Sequence, residues 1–377
     1  MKILHIINSL DIGGAEQMLV KLSKAQAFAK EDILVVTLLD AGALASQVEA
    51  SDRDVISLGL DKNPASWLSL FRLASIINKF KPDIIQSWLY QSDLVSGIMG
   101  WLANVPVIWG VRQSNLSAEH NKLSTRIVIR LCALMSGMLP SQIISNSDKA
   151  RYVHIQAGYT DIFSVIPNGF DTQVFLPNPS SFSGLRAELS IRPESMIVGM
   201  VGRFDSQKNH AGFFEAASII HQNMPEVHFC RAGAGINAAN HKLMKMIAVA
   251  DIPASHFHLL DARDDITYLM GGFDVYGLPS AGESFPNVVG EAMASGVPCV
   301  VTDVGDCAQI VGNTGRVVRA GDMKQFATEI IGLLSLSARA RKQLGKQARK
   351  RIETNYSLEH SASRFREIYL SAIAQKR

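Results

Sequence analysis

The sequence predicts an α/β protein with two doubly wound parallel sheets, one after the other along the chain. Short β-branched runs alternate with helical patterns along most of the length, which is typical of parallel sheets. The alternation stops at residues 176–184, which are rich in Pro and Ser, and then restarts. The chain has 377 residues, 47% of them hydrophobic, which is enough for two domains that each have a core.

The first half is expected to contain seven strands joined by helices. After the first strand, Met18, Leu19, Leu22 and Ala25 recur at helical spacing, which predicts a helix over residues 15–30. The expected strands are residues 2–8, 32–39, 54–57, 83–88, 106–111, 142–146 and 163–166.

The second half repeats this pattern after a predicted linker at residues 176–184. We therefore expect one Rossmann-like domain at 1–175 and another at 185–357, with helix from about residue 322 onward. Because open α/β sheets bind ligands at the carboxyl ends of their strands, the two sheets are expected to face each other across a ligand cleft. The expected strands are residues 196–202, 227–232, 257–260, 275–279, 299–303 and 316–318.

Charge and cysteine content exclude several classes of protein. The formal net charge of +3 is too small for a general nucleic-acid binder, so no nucleic acid is expected as a partner. The four cysteines form no C-x-x-C pair, which argues against a zinc site and a disulfide framework.

The longest apolar run, 127–140, is too short to span a membrane, and residues 1–10 lack the features of a signal peptide. We expect a cytoplasmic protein without a metal, and interpret the D-x-D at 52–54 as a surface turn.

Two glycines follow the first strand. Gly13 and Gly14 precede a helix whose N-terminal amides are suited to a phosphate, while a turn that requires positive φ explains them equally well. The G-x-G-x-x-G spacing of dinucleotide sites is absent here.

Two cations follow the first strand of the second half. Arg203 and Lys208 lie in the loop VGRFDSQKNH at the carboxyl end of a strand, where both are placed to contact one diphosphate. For either residue alone, a solvated surface charge is the alternative interpretation.

Two acids flank a predicted helix N-terminus in the stretch PSAGESFPNVVGEAMASGVP. Glu283 lies in the loop, and Glu291 lies in the helix, for which Pro286 suits the first position. The amides near Asn287 and Val288 are expected to face an anion, and two carboxylates beside such a site suit the hydroxyls of a ribose and a hexose. An exposed loop Glu and a solvated helix Glu are the alternative.

These motifs together resemble those of one enzyme family. G-G-A-E at 13–16, P-N-G-x-D at 167–171, G-R-x(4)-K-N at 202–209 and E-x(7)-E at 283–291 are similar to the motifs of retaining glycosyltransferases of family 4. The resemblance covers nearly the whole chain. It implies the GT-B architecture, with a closing helix at about 358–377 that packs back on the first domain.

The resemblance also implies roles for single residues. Arg203 and Lys208 would hold the donor diphosphate, Glu291 the ribose, and Glu283 the donor sugar near its reacting carbon. The implied donor-binding residues are Gly13, Gly14, Arg203, Lys208, Arg263, Glu283, Ser284, Phe285, Pro286, Asn287, Val288 and Glu291. The implied catalytic residues are Glu283, Arg203, Lys208 and Arg112. No metal and no cofactor is implied besides the nucleotide diphosphate sugar as co-substrate.

The sequence departs from the family pattern on the acceptor side. Arg112 lies where many members have a His after the fifth strand, and Gln91 also lies where similar sequences often have His. An Arg cannot act as a base at neutral pH, but it can pair with a leaving phosphate or an anionic acceptor. Fixed cations and helix amides can stabilise a departing diphosphate, so no dedicated protein base is required.

A basic stripe bears on the acceptor. Lys122, Arg126 and Arg130 lie four residues apart on one predicted helix, beside Leu123 and Ile127. Such a helix suits the surface of an anionic membrane. A solvated helix face packed through its apolar side is an equally good interpretation.

The resemblance predicts transfer of a hexose or N-acetylhexosamine from a nucleotide diphosphate sugar, most of all a UDP-sugar, with retention of configuration. The expected acceptor is lipid-linked or an oligosaccharide, in the biosynthesis of O-antigen, capsule or exopolysaccharide. The expected location is the cytoplasm, with contact at the inner face of the cytoplasmic membrane. A nucleotide-sugar 2-epimerase of the same fold and a non-catalytic sugar-nucleotide-binding protein are the alternatives.

Overall fold

The computed structural model describes residues 1–60, 68–117 and 121–376. The strands are β1 (Lys2–Ile7), β2 (Asp32–Thr37), β3 (Asp54–Ser57), β4 (Ile84–Trp88), β5 (Val107–Val111), β6 (Gln142–Ser145), β7 (Phe163–Val165), β8 (Ile197–Val201), β9 (His228–Ala232), β10 (Phe257–Leu259), β11 (Val275–Leu278), β12 (Cys299–Thr302) and β13 (Arg316–Val318). The helices are α1 (Gly14–Lys24), α2 (Ala45–Glu49), α3 (Ser69–Phe80), α4 (Tyr90–Ala103), α5 (Leu123–Met135), α6 (Asp148–Gln156), α7 (Pro179–Glu188), α8 (His210–Asn223), α9 (His241–Val249), α10 (Ile266–Gly272), α11 (Asn287–Ala294), α12 (Cys307–Val311), α13 (Met323–Leu334), α14 (Ala338–Asn355) and α15 (Leu358–Ala374).

The chain divides into two compact units. The first comprises Met1–Gly169 and Leu358–Arg377, and the second comprises Phe170–Ser357. Within the described residues, the first unit has a seven-stranded sheet of order β3-β2-β1-β4-β5-β6-β7, and the second a six-stranded sheet of order β10-β9-β8-β11-β12-β13. The strand pairings in both sheets are parallel. The predicted fold class of two doubly wound parallel sheets is confirmed.

All thirteen predicted strands are present, and their ends differ from the predicted ends by at most two residues. The central strands β4, β5, β8, β11 and β12 are buried on both faces, and such strands appear in a sequence as short runs of β-branched residues. The D-x-D segment leads from a surface turn at Asp52, as predicted, into β3, whose first residue is Asp54: both acids are exposed, and Arg53 donates to the carbonyls of Phe28 and Glu31.

Two local predictions are wrong. The helix expected over 15–30 ends at Lys24, because Ala25 is extended and a short 3₁₀ turn at Gln26–Phe28 carries the buried Phe28 ring against Tyr369. The linker expected at 176–184 is instead the start of α7.

The sequence around α7 explains why a helix forms there. The Asn178 side chain accepts a hydrogen bond from the Ser180 N–H at 3.0 Å, and Pro179 occupies the first helical position. An Asn cap followed by Pro is a favourable helix start, so the Pro-Ser composition that indicated a linker marks a helix N-terminus.

The first unit has a core on each side of its sheet. On one side α1, α2 and α15 bury Leu19, Val48 and Phe365, and on the other side α3 and α5 bury Leu73 and Cys132. The last helix, α15, belongs to the first unit although the second unit precedes it in the chain. It is tied to the sheet by a hydrogen bond from the Tyr369 hydroxyl to Gln86 Oε1 at 3.0 Å.

Candidate functional site

Local hydrogen bonds fix the conformation of the loop after β8, which carries Lys208. Asp205 Oδ1 accepts from the Gln207 N–H at 2.9 Å and so caps a single 3₁₀ turn that ends at Lys208. The next residue, Asn209, has a left-handed φ of 49°, and its side chain caps α8 by accepting from the Gly212 N–H at 3.1 Å. Asn is among the few residues that tolerate this conformation, so the loop geometry is encoded locally.

The loop after β11 lies beside the loop that carries Lys208. The Ala281 N–H donates to the Gln207 carbonyl at 2.7 Å, and the Asn209 amide donates to the Pro279 carbonyl at 3.1 Å. These bonds join the carboxyl ends of two neighbouring strands, which is where ligands bind in open α/β sheets.

Lys208 and Glu283 form an ion pair at this edge. Lys208 Nζ lies 2.6 Å from Glu283 Oε1, and the Ser280 hydroxyl donates to the same oxygen at 2.7 Å. Both charged side chains are mostly buried, with 18% and 12% of their surface exposed. The structure therefore brings together two of the predicted catalytic residues, 75 positions apart, as a partly desolvated pair.

Gly305 fixes the position of the Glu283 loop, and the sequence interpretation did not include it. It has φ +54°, and a Cβ there would lie 2.4 Å from the Glu283 carbonyl oxygen and 2.6 Å from that of Ser284. The Asp306 N–H donates to the Ser284 carbonyl at 3.0 Å. The only sequence signal was a glycine shortly after the predicted strand at 299–303.

The helix that follows holds the second predicted acid. Pro286 caps α11 rather than starting it, and Asn287 and Val288 are its first two residues, at the end where the helix dipole favours an anion. Glu291 is a buried residue of this helix, not one on a solvated face.

Phe285 anchors the entry to α11. Its ring stacks on Phe170 at 6.0 Å, and a Cβ at Gly290 would lie only 2.1 Å from that Phe170 ring. The start of α11, with Ser284 just before it, therefore sits on a tightly packed aromatic pair.

Arg203 is placed differently from Lys208. Its side chain is 69% exposed, and its guanidinium lies 3.2 Å from Asp205 Oδ2. Burial alone raises the pKa of Asp205, but hydrogen bonds from the Gln207 N–H and Arg203, with the charges of Arg203 and Lys208, lower it overall. Ion pairs this exposed contribute little to stability, so Arg203 can exchange its partner at small cost.

Arg263 is held by two acids that the sequence interpretation did not connect with it. Its guanidinium donates to Asp265 at 2.7 Å and also to Glu188 of α7, and these hydrogen bonds raise its pKa. Arg263 therefore ties its own loop to α7.

The backbone of the G-x-G at 233–235 hydrogen-bonds to the loop after β10. The Gly233 N–H donates to the Asp261 carbonyl at 2.6 Å, and the Gly235 N–H donates to the Asp261 carboxylate at 3.1 Å. These amides thus fasten the loop after β10.

In the first unit, the glycine turn does not use positive φ. Gly13 is the N-cap of α1 with extended backbone (φ −154°), and Gly14 is not among the positive-φ glycines. The alternative that explained both by backbone conformation is therefore wrong for this structure. A Cβ on Gly13 would lie 2.2 Å from Glu16 Oε2, the far end of a flexible side chain that would have to move to make room for it.

The Glu16 carboxylate lies over the N-terminus of α1. Burial is the largest influence on its pKa and raises it, whereas hydrogen bonds from the backbone N–H groups of Glu16 and Ala15 lower it. The helix end thus holds an anionic group, as its dipole favours.

Arg112 is the residue directly after β5, and it is buried. Its guanidinium carbon lies 4.7 Å from the centroid of the Trp88 ring and 5.6 Å from that of Phe365, and Nη1 donates to Asn168 Oδ1 at 2.9 Å. Among the described residues, Nε and Nη2 have no hydrogen-bond partner. Burial lowers the pKa of Arg112 to about 10, so it is a cation at neutral pH.

Of the residues that contact Arg112, the sequence analysis singled out only the motif that contains Asn168. Asn168 belongs to the P-N-G-x-D motif at 167–171, although no role was assigned to it, and Trp88 carried no signal besides ending a strand.

Gln91 lies in a neutral network at the carboxyl ends of β1 and β4. The Asn8 amide donates to Gln91 Oε1 at 3.0 Å, and the Ser92 hydroxyl donates to Asn8 Oδ1 at 2.9 Å. This edge of the first sheet therefore offers amides and hydroxyls, with Arg112 as a nearby cation.

The described residues contain neither a candidate metal site nor a candidate membrane-spanning helix. Across residues 1–60, 68–117 and 121–376, no group of three or more His, Cys, Asp or Glu side chains is placed to hold a metal ion. In the same ranges no helix combines the length and the apolar character needed to cross a bilayer.

Two family models match the chain. The model described as Glycosyltransferase Family 4 matches residues 12–174, and the model described as Glycosyl transferases group 1 matches residues 195–336. The chain belongs to glycosyltransferase family 4.

Curated relatives of this glycosyltransferase match most of its length. The UDP-Gal:alpha-D-GlcNAc-diphosphoundecaprenol alpha-1,3-galactosyltransferase of Escherichia coli is 24% identical over 328 residues, covering 85% of this chain and 82% of the relative. The putative glycosyltransferase EpsF of Bacillus subtilis (strain 168) is 24% identical over 315 residues, covering 80% and 79%.

Solved structures share the fold of this glycosyltransferase. Anabaena Alr3699/HepE in complex with UDP and glucose has a TM-score of 0.84 at 23% identity, covering 98% of this chain and all of that one. Sucrose-phosphate synthase from Thermosynechococcus elongatus has a TM-score of 0.79 at 18% identity, with both chains fully covered. These likenesses show the GT-B fold.

Proposed function

We propose that this glycosyltransferase transfers a hexose or N-acetylhexosamine from a UDP-sugar to a lipid-linked or oligosaccharide acceptor, with retention of configuration. The observation that carries the proposal is the Lys208–Glu283 pair, 2.6 Å apart at the carboxyl ends of β8 and β11. A buried cation and carboxylate at a sheet edge suit a ligand that presents both a phosphate and sugar hydroxyls.

In the proposed donor complex, Lys208 and Arg203 hold the diphosphate from the second unit. Both cations have carboxylate partners, Glu283 and Asp205, which they exchange for phosphate oxygens when the donor binds. Glu283 is then released to accept hydrogen bonds from the donor sugar.

The remaining donor contacts are assigned by position. Gly13 and Gly14 approach the diphosphate, Glu291 accepts from the ribose hydroxyls, and the first residues of α11 face the anion. Arg263 acts through its loop, because its guanidinium is occupied by Glu188 and Asp265.

The proposed chemical step breaks the bond between the anomeric carbon and the diphosphate oxygen. Negative charge grows on the departing diphosphate, and Lys208 and Arg203 stabilise it there. Preorganised groups of this kind typically contribute about 10²- to 10³-fold each to turnover. A phosphate oxygen takes the proton of the acceptor hydroxyl as the new glycosidic bond forms on the same face.

The nucleotide and the acceptor are proposed from the relatives. The Escherichia coli relative is named for UDP-Gal and a diphosphoundecaprenol acceptor, and the Anabaena structure contains UDP and glucose. A role in surface-polysaccharide biosynthesis, at the inner face of the cytoplasmic membrane, follows from such an acceptor.

To test the proposal, the protein is incubated with each of a panel of UDP-sugars and a diphosphoundecaprenol-linked sugar as acceptor. The release of UDP is measured, and the product is identified by its mass. Lys208→Ala is expected to reduce turnover by about 10²-fold or more. Lys242→Ala, at an exposed lysine of α9, is the matched control and should retain wild-type turnover. No UDP release from any donor would contradict the proposal, and an altered donor sugar seen by NMR without acceptor would indicate an epimerase instead.

A further inference from the structure

The outer face of α4 and α5 exposes an unusual number of large apolar side chains. α4 packs against α5, and we call the exposed residues of this helix pair the α4–α5 face. Its exposed apolar residues are Ile98, Trp101, Leu102, Leu123, Ile127, Leu131, Leu134 and Met138, the last just beyond the end of α5.

α5 is apolar on two sides. Its inner side buries Ile129 and Cys132 in the core. The exposed apolar residues on its outer side are therefore not needed to pack α5 against the sheet. On the outer side Leu123 is 70% exposed and Leu134 is 79% exposed. Soluble proteins seldom expose contiguous apolar patches of this kind unless the patch contacts a membrane or another protein.

Among the described residues of α4 and α5, the exposed charges are all positive. Lys122, Arg126 and Arg130 run along α5 beside the apolar stripe. Between residues 94 and 147 the sequence contains a single acid, Glu119, and the acid in the first turn of α4, Asp93, is fully buried.

We infer that the α4–α5 face docks on the surface of an anionic lipid bilayer. Apolar side chains with a Trp, bordered by cations, match the interfacial region of a membrane, where rings and aliphatic groups enter the headgroup layer and cations contact lipid phosphates. A second copy of the chain fits less well, because it would bring like charges together. The inference rests on the proposed function in one respect: a lipid-linked acceptor lies in such a bilayer.

A second basic helix provides a matched comparison. Lys342, Lys346 and Lys350 are exposed on α14 at the same spacing of four residues. The apolar residues Ala348 and Ile352 of that helix are fully buried. α14 therefore has the cations without an exposed apolar stripe.

The experiment is sedimentation of the full chain with vesicles of phosphatidylglycerol and phosphatidylcholine in equal parts, and with vesicles of phosphatidylcholine alone. The wild-type protein is expected to sediment with the anionic vesicles. Arg126→Gln with Arg130→Gln should weaken this partition by roughly 30-fold, given the contribution of each cation near a charged membrane. Lys346→Gln with Lys350→Gln removes the same charge from α14 and should leave the partition unchanged.

A second variant tests the apolar component. Leu134→Ser changes an exposed residue, so folding should be retained, which a thermal melt verifies, while partition into anionic vesicles falls. Wild-type protein that stays in the supernatant, or equal losses for the α5 and α14 variants, would overturn the inference. A dimer in solution that Leu134→Ser dissociates would also overturn it, because the face would then be covered by a second copy.

Failure of docking and failure of the proposed function give different results. The Arg126 and Arg130 variant should still release UDP with a water-soluble acceptor at the wild-type rate. Absence of vesicle binding with that activity intact rejects the docking face alone, whereas absence of UDP release from every donor rejects the proposed function alone.

Discussion

Arg112 in the first unit of this glycosyltransferase and Arg231 in the second are both buried against aromatic rings, but they contact different parts of their sheets. The guanidinium carbon of Arg112 lies 4.7 Å from the Trp88 ring centroid, and that of Arg231 lies 4.8 Å from the Phe213 ring centroid. Burial lowers the pKa of Arg112 to about 10 and that of Arg231 to about 9. Each side chain also has two nitrogens that find no hydrogen-bond partner in the part of the chain that the structure describes.

The difference lies in their positions. Arg112 follows the last residue of β5 and so reaches the carboxyl end of the sheet itself. Arg231 lies inside β9, and its Nη2 donates to Nδ1 of His210. His210 stacks on Phe204 at 4.8 Å and contacts the Arg203 carbonyl at 3.2 Å. The same packing chemistry thus makes Arg112 a candidate for substrate contact. It makes Arg231 a candidate positioning residue for the loop at residues 202–209, which we call the donor loop after its proposed function.

The largest expected effect is that of Arg112→Met. If Arg112 contacts the leaving phosphate or an anionic acceptor, turnover should fall by about 10²- to 10³-fold. The free energy of unfolding should change little, because the hydrogen bond of Arg112 is to an amide and an apolar side chain of similar size avoids the cost of burying a charge.

Rates of UDP release and urea unfolding curves measure the two quantities. Arg112→Lys, which keeps the charge, should recover part of the turnover. Wild-type turnover in Arg112→Met would show that Arg112 does not contact the substrate, and would remove the contrast with Arg231.

The next effect is a loss of stability in acid, because a buried neutral histidine lies beside each arginine cluster: His5 contacts the Trp88 ring on which Arg112 stacks, and His210 contacts Arg231 itself. The Trp88 indole N–H donates to Nδ1 of His5 at 3.1 Å, and burial lowers the pKa of His5 to about 3. Burial, followed by the charge of Arg231, lowers the pKa of His210 to about 3.

Because both folded-state pKa values lie below 6.5, the unfolded chain binds more protons in the window between 6.5 and 3. Stability is therefore fully present above pH 6.5 and is lost as the pH falls towards 3. His5 alone contributes a slope of about 1.4 kcal/mol per pH unit in that window. Urea unfolding between pH 7 and 5 measures it, and His5→Gln should flatten the curve; an unchanged slope would refute the assignment.

A smaller effect is expected for Arg231→Met. Since Arg231 acts on the donor loop through His210, KM for the UDP-sugar should rise by about tenfold, or about 1.4 kcal/mol, with a smaller change in kcat. A fall in kcat at constant KM would indicate instead that Arg231 contributes in the transition state. Thermal melts separate this change from general destabilisation.

The smallest effect is expected for His210→Phe. The new ring keeps the stacking on Phe204 but loses the hydrogen bonds to Arg231 and to the donor loop, so KM should rise by roughly threefold, which is less than 1 kcal/mol. The double variant with Arg231→Met should be no worse than Arg231→Met alone, because both changes interrupt one chain of contacts. Additive effects would show that Arg231 and His210 act separately.

The donor motifs could be found in the sequence because each is contiguous. Lys208 and Glu283 lie in loops that follow buried strands, and the strands themselves appear as short β-branched runs. What the sequence did not show is that these two side chains meet, or that Gly305 makes room for the Glu283 loop. Contacts between distant segments leave no local periodicity in a sequence.

The sequence by itself determined the two parallel sheets, their strands and the family, since these depend on hydrophobic pattern, turn residues and motif spacing within short segments. Only the tertiary structure decided that the Pro-Ser segment begins α7, and that Arg263 is occupied by Glu188 and Asp265. It alone also distinguished the basic stripe of α5, with exposed leucines, from that of α14, whose apolar residues are buried. Burial and ion pairing depend on which segments pack together, and the order of residues along one helix does not record that.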